Sequence, residues 1–506
     1  MKSILIANRG EIAVRVARTC REMDIKTIAV YSDADHDGLH VREADRAYPL
    51  GGSTPAESYL VQDKLIEIAK KSGAEGIHPG YGFLSENAGF AKRVKDEGLV
   101  WVGPPASAIR SMGSKTEARA LMIAANVPVV PGTKGAVASA DEASMFAHKF
   151  GFPVLLKAAA GGGGKGMRVV HKDADLADAL AAAQREAKSA FGDEAVYVEK
   201  YLEEPKHIEV QIFADKHGNA IYLGERECSM QRRHQKIIEE SPSAAVTPEL
   251  RRQMGETAVM AAKACGYVNA GTCEFLLDKN GEFYFLEMNT RLQVEHPVTE
   301  MVTGLDLVRL QIEVARGEKL KLAQEDVQLR GHAVEVRVYA EDVIAGFLPS
   351  TGVLELWRPP SGPGLREDTS MYEGAEVSRF YDPMISKLVA YGETREAAID
   401  RMRRALREYF IAGVMTNIGF CYFVLGRDEF RSGHFDTGTV ERILLPAYRE
   451  FVISEVQIQD WLPAAIAIAN RAFHSDVAPS MSPLNGVLST YSSWKSAGRT
   501  RALRER

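Results

Sequence analysis

The chain has 506 residues, which corresponds to about three domains of ordinary size. Lysine and arginine number 62 and aspartate and glutamate 68, so the formal net charge is −6. This balance excludes a protein built to coat nucleic acid or an anionic membrane surface. Hydrophobic residues make up 45% of the chain, which excludes disorder along its whole length.

The first 112 residues begin with a strand, a turn and a helix. Residues 3–7 have the composition of a buried strand, and residues 11–23 place apolar side chains at helical spacing. A second strand at residues 26–35 ends in acidic residues, which predicts a βαβ unit of the doubly wound type. The Gly-x-Gly-x-x-Gly fingerprint is missing, so the first turn gives little support for a dinucleotide site. Glycine and proline at residues 102–107 predict a domain boundary near residue 112.

The five cysteines and the short apolar runs indicate the cellular compartment of the protein. The cysteines lie far apart and form no Cys-x-x-Cys motif, so neither a disulfide framework nor a zinc ribbon is indicated. The apolar run at the start is too short for a signal peptide, and residues 462–469 are too few to span a bilayer. These features predict a cytoplasmic, multidomain enzyme.

A glycine-rich loop is the first candidate for binding chemistry. Four glycines at 161–164 follow a predicted strand at residues 152–159 and precede Lys165. Bare backbone N–H groups in such a loop can approach an anion closely. A Walker A loop is excluded, because Ala159 and Gly166 stand where that motif needs glycine and a hydroxyl residue. The run therefore predicts either a phosphate-binding loop of another kind or a flexible turn.

An Asp-Lys-Asn-Gly turn between two apolar, β-rich runs predicts a hairpin. Pairing Asp278 with Gly281 places Glu274 opposite Phe285, and opposite residues share a face. At steps of two along the second strand, that face then carries Glu287, Asn289, Arg291 and Gln293.

The converging carboxylates and amide predict a metal site. Hard oxygen ligands of this kind suit Mg²⁺ or Mn²⁺ bridging phosphates, with Glu274, Glu287 and Asn289 as the ligands. The alternative is a solvated edge strand with alternating polar residues. Apolar neighbours at residues 283–286 argue for burial, and a buried carboxylate without a cation is costly.

A dense basic run contains Arg232, Arg233, His234 and Lys236. A nucleic-acid patch is disfavoured because the run is short and the chain is acidic. The run predicts a pocket for a small anion, with an exposed cationic loop as the alternative.

Five long segments, in order, strongly resemble the biotin carboxylases, which are members of the ATP-grasp superfamily. These segments are KAAAGGGGKGM, EKYLEEPKHIEVQ, ERECSMQRRHQKIIEE, FLEMNTRLQVEHPVTE and GHAVEVRVYAED. IANRGEIAVRV and HPGYGFLSEN are similar as well, so the resemblance covers residues 1–447. Other ATP-grasp ligases share the lid-and-hairpin scheme but lack the QRRHQK and NTRLQVEHP segments.

The resemblance implies an α/β fold in three domains. A Rossmann-like N-terminal domain would occupy residues 1–112, and an ATP-grasp domain with a mobile lid at about 131–203 would occupy residues 113–315. An α+β biotin carboxylase C-terminal domain would follow at residues 331–447. Residues 448–506 would be a C-terminal extension that the resemblance does not assign.

The resemblance also implies a reaction and its participants. ATP would phosphorylate bicarbonate to carboxyphosphate in the presence of Mg²⁺ or Mn²⁺, and the carboxyl group would pass to N1′ of biotin. The implied partners are a biotin carboxyl carrier protein, carboxyltransferase subunits and a second copy of this chain; nucleic acid and membrane are not expected. Family carriers hold biotin on an Ala-Met-Lys-Met turn, and this chain contains no Met-Lys-Met, so the carrier should be another polypeptide.

The resemblance carries over to individual residues. The nucleotide site would comprise Lys115, Lys157, Gly163, Gly164, Glu199, Lys200, Tyr201, Leu202, His207, Gln231, His234, Glu274 and Glu287. Bicarbonate and biotin would be held by Lys236, Arg291, Gln293, Val294, Glu295 and Arg337. The implied catalytic residues are Lys236, Arg291, Glu295 and Arg337. Glu295 would be the general base, and Arg337 would hold bicarbonate and stabilise the enolate-like biotin anion. His296 is expected to be structural.

Three interpretations of function stay open on the sequence. The leading one is the biotin carboxylase subunit of an acetyl-CoA or other acyl-CoA carboxylase, as in fatty acid biosynthesis, or of a pyruvate or 2-oxoacid carboxylase. The second is another ATP-grasp ligase that joins a carboxylate to an amine. The third is a homologue that only binds nucleotide, and the intact set of predicted site residues argues against it.

Overall fold

The computed structural model describes residues 1–133, 135–158, 167–191, 193–233 and 235–455. Met1–Tyr448 form one compact unit, and the described residues 449–455 belong to a second. Gly163, Gly164 and His234 lie outside the described residues, as does almost all of the predicted extension.

The N-terminal region is built on a parallel five-stranded sheet. Its elements are β1 (Ser3–Ile6), α1 (Gly10–Glu22), β2 (Lys26–Tyr31), α2 (Leu39–Glu43), β3 (Arg46–Pro49), α3 (Gln62–Ser72), β4 (Gly76–His78), α4 (Ala88–Asp96), β5 (Val100–Trp101) and α5 (Ala106–Gly113). The strand order β3-β2-β1-β4-β5 reverses direction between β1 and β4, as in doubly wound folds. Leu5 packs toward α3 and α4, whereas Ile4 and Ile6 pack toward α1, so the sheet is buried on both faces. The predicted βαβ opening is confirmed.

The predicted lid contains a small antiparallel sheet with its own core. After α6 (Lys115–Ala124), its elements are α7 (Ala140–Phe150), β6 (Val154–Ala158), β7 (Met167–Val170), α8 (Leu176–Phe191) and β8 (Val196–Lys200). The strands lie in the order β7-β6-β8. Phe146, Leu156 and Val198 belong to a core whose buried members all fall between residues 137 and 198. The segment is thus packed as a separate part, and its mobility stays a prediction.

An eight-stranded antiparallel sheet dominates the rest of the unit. The central region supplies β9 (Lys206–Ala214), β10 (Ala220–Arg232), β11 (Gln235–Ser241), α9 (Pro248–Ala264), β12 (Asn269–Leu277), β13 (Phe283–Asn289), α10 (His296–Thr303) and α11 (Leu307–Ala315). The C-terminal region supplies β14 (His332–Tyr339), β15 (Glu341–Asp342), β16 (Leu348–Pro349), β17 (Gly352–Val353), β18 (Leu356–Arg358), β19 (Leu365–Thr369), β20 (Glu376–Val377), β21 (Met384–Gly392), α12 (Arg395–Glu408), β22 (Phe410–Ala412), α13 (Ile418–Val424), α14 (Asp428–Arg431) and α15 (Leu445–Glu455).

The large sheet joins the predicted central and C-terminal domains. Its strand order is β13-β12-β9-β10-β11-β14-β21-β19, and the β11–β14 pair crosses between the two regions. One face is apolar: Val210 packs with Ala258 of α9, and Val336 packs with Met402 of α12. Because side chains alternate along a strand, the residues between these apolar positions point to the other face.

Candidate active site

The second face of the large sheet carries a charged side chain on every one of its eight strands. Across neighbouring strands, Glu274 lies opposite Glu287 and Glu209, Glu209 opposite Arg226, Glu239 opposite Glu335, and Lys387 opposite Arg337 and Asp368. We call this set the polar face. Except for Glu287, its members are buried, so each charge needs a partner within the protein or a bound ion.

The hairpin that begins the polar face closes differently from the prediction. The Asp278 N–H donates to the Glu282 carbonyl at 2.8 Å, so the predicted pairing of Asp278 with Gly281 is wrong. The loop has three residues, and Gly281 takes the left-handed φ of 84° that such loops place in this position.

A register shift follows farther along the same hairpin. A bulge between Glu274 and Phe275 brings Glu274 opposite Glu287, not opposite Phe285 as predicted. The two carboxylates still share a face, and Asn289 lies on it one step farther. The grouping of the predicted metal ligands is therefore retained although the predicted register was wrong.

The predicted burial of these ligands is found for Glu274 but not for Glu287. Glu274 is buried, but Glu287 is exposed, because β13 is the outer strand of the sheet among the described residues. Partial desolvation and the neighbouring Glu274 charge raise the pKa of Glu287, and Lys115 opposes this rise. Two facing carboxylates and an amide oxygen form a donor set that fits Mg²⁺ or Mn²⁺, whose charge would offset that repulsion.

Glu274 is held by several donors. Its Oε1 accepts from Asn289 Nδ2 at 2.8 Å and Gln293 Nε2 at 3.1 Å, and its Oε2 lies 2.9 Å from His207 Nε2. Gln231 Nε2 lies 3.2 Å from the other ring nitrogen of His207. Although burial opposes it, Lys236 and His207 keep the pKa of Glu274 well below its usual range. The carboxylate is thus fixed in its charged form.

Lys236 is the cation at the centre of the site. Its ammonium lies 2.6 Å from Glu209 Oε2, 3.3 Å from Glu274 Oε1 and 2.5 Å from Glu295 Oε1. Burial alone would lower the pKa of Lys236, but the surrounding negative groups, these carboxylates among them, raise it well above its ordinary value. Lys236 is therefore charged and joins three strands to the loop before α10.

Glu295 lies between two cations. Arg337 Nη2 donates to Glu295 Oε2 at 2.9 Å, and the other carboxylate oxygen, Oε1, faces Lys236. Despite complete burial, Lys236, Arg337 and Arg226 hold the pKa of Glu295 well below its usual range. A buried carboxylate that is ionised and close to cations can accept a proton from an anion bound beside it.

Arg291 connects the site to the N-terminal region. Its Nε donates to Glu86 Oε2 at 2.8 Å, and its Nη1 donates to Gln293 Oε1 at 2.7 Å. Its Nη2 donates to Asn289 Oδ1 at 3.2 Å. Arg291 thus links the metal-ligand strand to the segment that carries Glu295.

The predicted adenine and phosphate positions are spread over the lid and its edge. Lys157 and Glu199, on neighbouring strands β6 and β8, form an ion pair of 3.0 Å. Lys115 is the first residue of α6, Lys200 is the last residue of β8, and Tyr201 and Leu202 follow that strand. The structure brings His207, Gln231 and Glu274 into contact with one another. Among the described residues, no hydrogen bond or ion pair joins Lys115, Lys157 or Glu199–Leu202 to these three side chains.

His296 behaves as the sequence predicts. It is fully buried at the start of α10, and its Nδ1 lies 2.8 Å from the Gln293 carbonyl oxygen. Burial and Lys387 lower the pKa of His296 well below its ordinary value, so the ring is neutral. Its role is to brace the turn before α10.

Comparisons with known proteins match this architecture along most of the chain. Residues 1–109 match the family model of the biotin carboxylase N-terminal domain, and residues 335–442 match that of the C-terminal domain. Residues 114–323 match the ATP-binding domain of the carbamoyl-phosphate synthase L chain. Biotin carboxylase 1 of Bacillus subtilis is 51% identical over 442 residues, which cover 87% of this chain and 98% of that protein. The chain belongs to the biotin carboxylase family.

Other biotin-dependent carboxylases are similar as well. The A subunit of pyruvate carboxylase from Methanothermobacter thermautotrophicus is 52% identical over 90% of this chain and 91% of its own length. The alpha subunit of the mitochondrial methylcrotonoyl-CoA carboxylase of rice is 54% identical over 87% of this chain. The matched part spans 60% of that rice protein.

Solved biotin carboxylases share the fold. The Campylobacter jejuni enzyme, in complex with a compound named β,γ-ATP, is 48% identical with a TM-score of 0.80, covering 87% of this chain and 98% of that one. The biotin carboxylase domain dimer of Hydrogenobacter thermophilus 2-oxoglutarate carboxylase, with MgADP, ADP and bicarbonate, is 46% identical with a TM-score of 0.79. It covers 87% of this chain and 97% of that one. No described helix of the present chain has the length and apolar character that crossing a membrane requires.

Several members of this biotin carboxylase site were missed from the sequence: the exposed Glu86 and the buried Glu209, Arg226, Glu239, Glu335 and Lys387. A signal for three of them exists in the strands themselves. Glu209 stands in HIEVQIF, Glu335 in HAVEVRVY and Lys387 in ISKLVAY, each a charged residue inside an apolar β-run. Such a residue must be paired when the strand is buried, so it marks a polar cluster.

Replacing Lys387 by methionine should destabilise the fold strongly. Lys387 is fully buried, donates to the Val294 carbonyl at 2.8 Å and lies 3.2 Å from Glu11 Oε1. Removal of the cation leaves the Glu11 carboxylate buried without a charge partner, which costs about 3–5 kcal/mol. Urea denaturation followed by circular dichroism should show a clearly lower midpoint. Lys92→Met, at an exposed pair with Asp96, is the control and should leave the midpoint unchanged.

Proposed function

We propose that this chain is the biotin carboxylase component of a multi-subunit carboxylase and that it carboxylates biotin with ATP and bicarbonate. The observation that carries the proposal is the buried Lys236–Glu295–Arg337 cluster, which lies beside the facing carboxylates of Glu274 and Glu287. This arrangement joins a base for bicarbonate to a set of ligands for a metal nucleotide.

Bicarbonate is a weak nucleophile until its proton leaves. In the proposed mechanism Arg291 and Arg337 hold the anion, and an oxygen of Glu295 takes its proton. The low pKa of Glu295 ensures that this carboxylate is unprotonated at neutral pH. The same cations stabilise the additional negative charge on the bound substrate, so that the proton transfer does not depend on a strongly basic carboxylate.

Transfer of the γ-phosphoryl group then requires charge stabilisation more than covalent catalysis. Lys236, Lys115 and Lys157 are the cations that we assign to the phosphates. Glu274, Glu287 and Asn289 would hold Mg²⁺ or Mn²⁺, which neutralises charge on the phosphates when bound. We assign Glu199–Leu202 to the adenine end and His207 and Gln231 to the orientation of Glu274.

The second half-reaction moves the carboxyl group from carboxyphosphate to N1′ of biotin and releases inorganic phosphate. We assign to Arg337 the stabilisation of the enolate-like ureido oxygen that forms when N1′ loses its proton, because a buried guanidinium is suited to an oxyanion. We also assign Gln293 and Val294, which directly precede Glu295, to the binding of bicarbonate and biotin. Arg337 thus serves both half-reactions.

A minimal kinetic experiment separates this proposal from a carboxylate–amine ligase. The purified chain should cleave ATP only when bicarbonate and Mg²⁺ are present, and free biotin should increase the rate. Dependence on an amine and a carboxylate other than bicarbonate would support the ligase instead.

The carrier and the carboxyltransferase are proposed to be separate chains. Avidin blotting of the purified protein should be negative, because no Met-Lys-Met occurs in the sequence, and covalent biotin on this chain would overturn the proposal of a separate carrier. We propose a homodimer, since the Hydrogenobacter thermophilus domain is described as a dimer, and a cytoplasmic location, where ATP and bicarbonate are both supplied.

Two acceptors for the carboxyl group are proposed. Pyruvate is supported by the likeness to the A subunit of a pyruvate carboxylase over 91% of that protein. An acyl-CoA is supported by the 54% identity to part of a methylcrotonoyl-CoA carboxylase, and acetyl-CoA would connect the enzyme to fatty acid biosynthesis. Purification of the complex with its natural partners, followed by carboxylation assays with pyruvate, acetyl-CoA and methylcrotonoyl-CoA, decides between them.

A further inference from the structure

Two buried carboxyl groups face each other beneath the site. Glu239 on β11 and Glu335 on β14 are directly opposite in the antiparallel register, and both residues are 0% exposed. Directly opposite residues on one face of a sheet have Cβ atoms only about 4.5–5.5 Å apart. Neither residue was predicted from the sequence, and the proposed mechanism assigns no step to either.

The hydrogen bonds of this pair are incomplete. Glu239 Oε1 accepts from Arg337 Nε at 2.6 Å, but Glu239 Oε2 has no hydrogen-bond partner among the described residues. Both oxygens of Glu335 are likewise without a partner in the described part of the chain. A buried carboxylate without any hydrogen-bond donor is very unfavourable. This pattern therefore indicates that one of the two carboxyl groups carries a proton.

Among the described residues, the nearby cations contact groups other than the three unpartnered oxygens of the pair. The charged groups that face the pair are Lys236 on β11, Arg337 on β14, Lys387 on β21 and Glu295 before α10. Lys236 contacts three other carboxylates, and Lys387 contacts the Val294 carbonyl, Glu11 and Asp368. Arg337 donates hydrogen bonds to Glu239 and to Glu295.

The surroundings of Glu335 on the other side are apolar. Ala333 precedes it by two residues on the same face, and Val389 lies opposite it on β21. Both belong to an apolar cluster that Val298 and Val302 of α10 complete. Burial raises the pKa of both glutamates, and for Glu335 the Glu239 charge raises the pKa further. These conditions favour the neutral acid for one member of the pair.

We infer that Glu239 and Glu335 share one proton, and that Glu335 is a positioning residue which, as the neutral acid, donates a hydrogen bond to Glu239 Oε2. Glu239 in turn fixes Arg337, whose guanidinium reaches Glu295 and, in the proposed function on which this inference rests, the substrate. The shared proton leaves Glu239 with a single negative charge for Arg337 and avoids a second buried charge beside it.

The inference predicts a pH effect of definite sign. As pH rises through the raised pKa of the pair, the shared proton is lost and two adjacent carboxylates repel each other, which disturbs Arg337. Biotin carboxylation should therefore decline on the alkaline side. Glu335→Gln keeps a neutral side chain that can donate to Glu239 and has no proton to lose, so this variant should retain activity near neutral pH and lack that decline.

The test uses the full chain and free biotin. Glu335→Leu, which has no donor, should lower kcat for biotin carboxylation on the order of 10- to 100-fold, because a small misplacement of a positioned group is costly. Glu240→Gln removes a buried carboxylate that points to the opposite face, where it pairs with His332 and Arg395, and should keep the alkaline decline. A matching decline in wild type and Glu335→Gln would overturn the inference.

Infrared spectroscopy gives a readout that does not depend on activity. The difference spectrum between wild type and Glu335→Gln at neutral pH should contain the carbonyl band of a protonated carboxylic acid. Absence of that band would overturn the shared proton even if Glu335→Leu fails to fold. Conversely, a wild-type chain that shows the band but does not carboxylate biotin would refute the proposed function and leave the proton assignment intact.

Discussion

Replacing Arg337 by alanine should reduce biotin carboxylation about 10²- to 10³-fold, which is the usual effect of removing one donor to a developing oxyanion. Arg337 is buried and bridges Glu239 and Glu295, so the biotin half-reaction loses the guanidinium that stabilises the enolate-like oxygen. Bicarbonate-dependent ATP cleavage should fall less, because Lys236 still contacts Glu295. The two rates are measured on the same preparation, with free biotin present or absent.

The stability of this variant needs its own control. Truncation of Arg337 leaves two buried carboxylates without their common partner, at a cost of about 3–5 kcal/mol. Arg395→Ala is matched to it, because Arg395 is also a mostly buried arginine and pairs with Glu240 on the opposite face of the sheet. The control should lower the denaturation midpoint without changing the ratio of the two activities. Equal losses of both activities in Arg337→Ala would contradict separate roles.

Replacing Glu287 by glutamine should lower ATP cleavage by a factor of order 10² or more, because metal and cation stabilisation is a large part of phosphoryl transfer. Glutamine preserves the shape of the side chain, and Glu287 is exposed on the outer strand β13, so folding should be little affected. The loss should shrink as Mg²⁺ or Mn²⁺ is raised, since the variant binds the metal more weakly. Steady-state ATP cleavage over a metal titration measures both effects.

A matched control lies in the same hairpin. Glu282 is an exposed glutamate at the turn, five residues before Glu287, and Glu282→Gln should leave the metal dependence unchanged. Near-normal turnover of Glu287→Gln across the whole metal titration would rule out this carboxylate as a ligand.

The local features of the site could be read from the sequence because they depend on short-range periodicity. Alternation in the second hairpin strand placed Glu287 and Asn289 on one face, and that grouping holds although the register does not. The register failed because it depends on the three-residue loop at Gly281 and on the bulge at Glu274, and neither leaves a distinct signal in a pattern of apolar residues.

The long-range partners could not be predicted in this way. Arg291 contacts Glu86, which is 205 positions away in the chain. Lys387 contacts Glu11, which lies near the start of the sequence. The cross-strand partners of β14 are determined only when β11 and β21 lie on either side of it, and this order connects regions that the sequence assigns to different domains. Resemblance to the biotin carboxylases supplied the roles of Glu295 and Arg337, which no periodicity indicates.

The most direct measurement is the formation of carboxybiotin. The purified chain is incubated with ATP, Mg²⁺, radiolabelled bicarbonate and free biotin, and the acid-labile label on biotin is counted against ADP formed. The proposed function predicts label on biotin that requires all four components and that is lost in Arg337→Ala. ATP cleavage without any label on biotin, or label that does not require ATP, would contradict it.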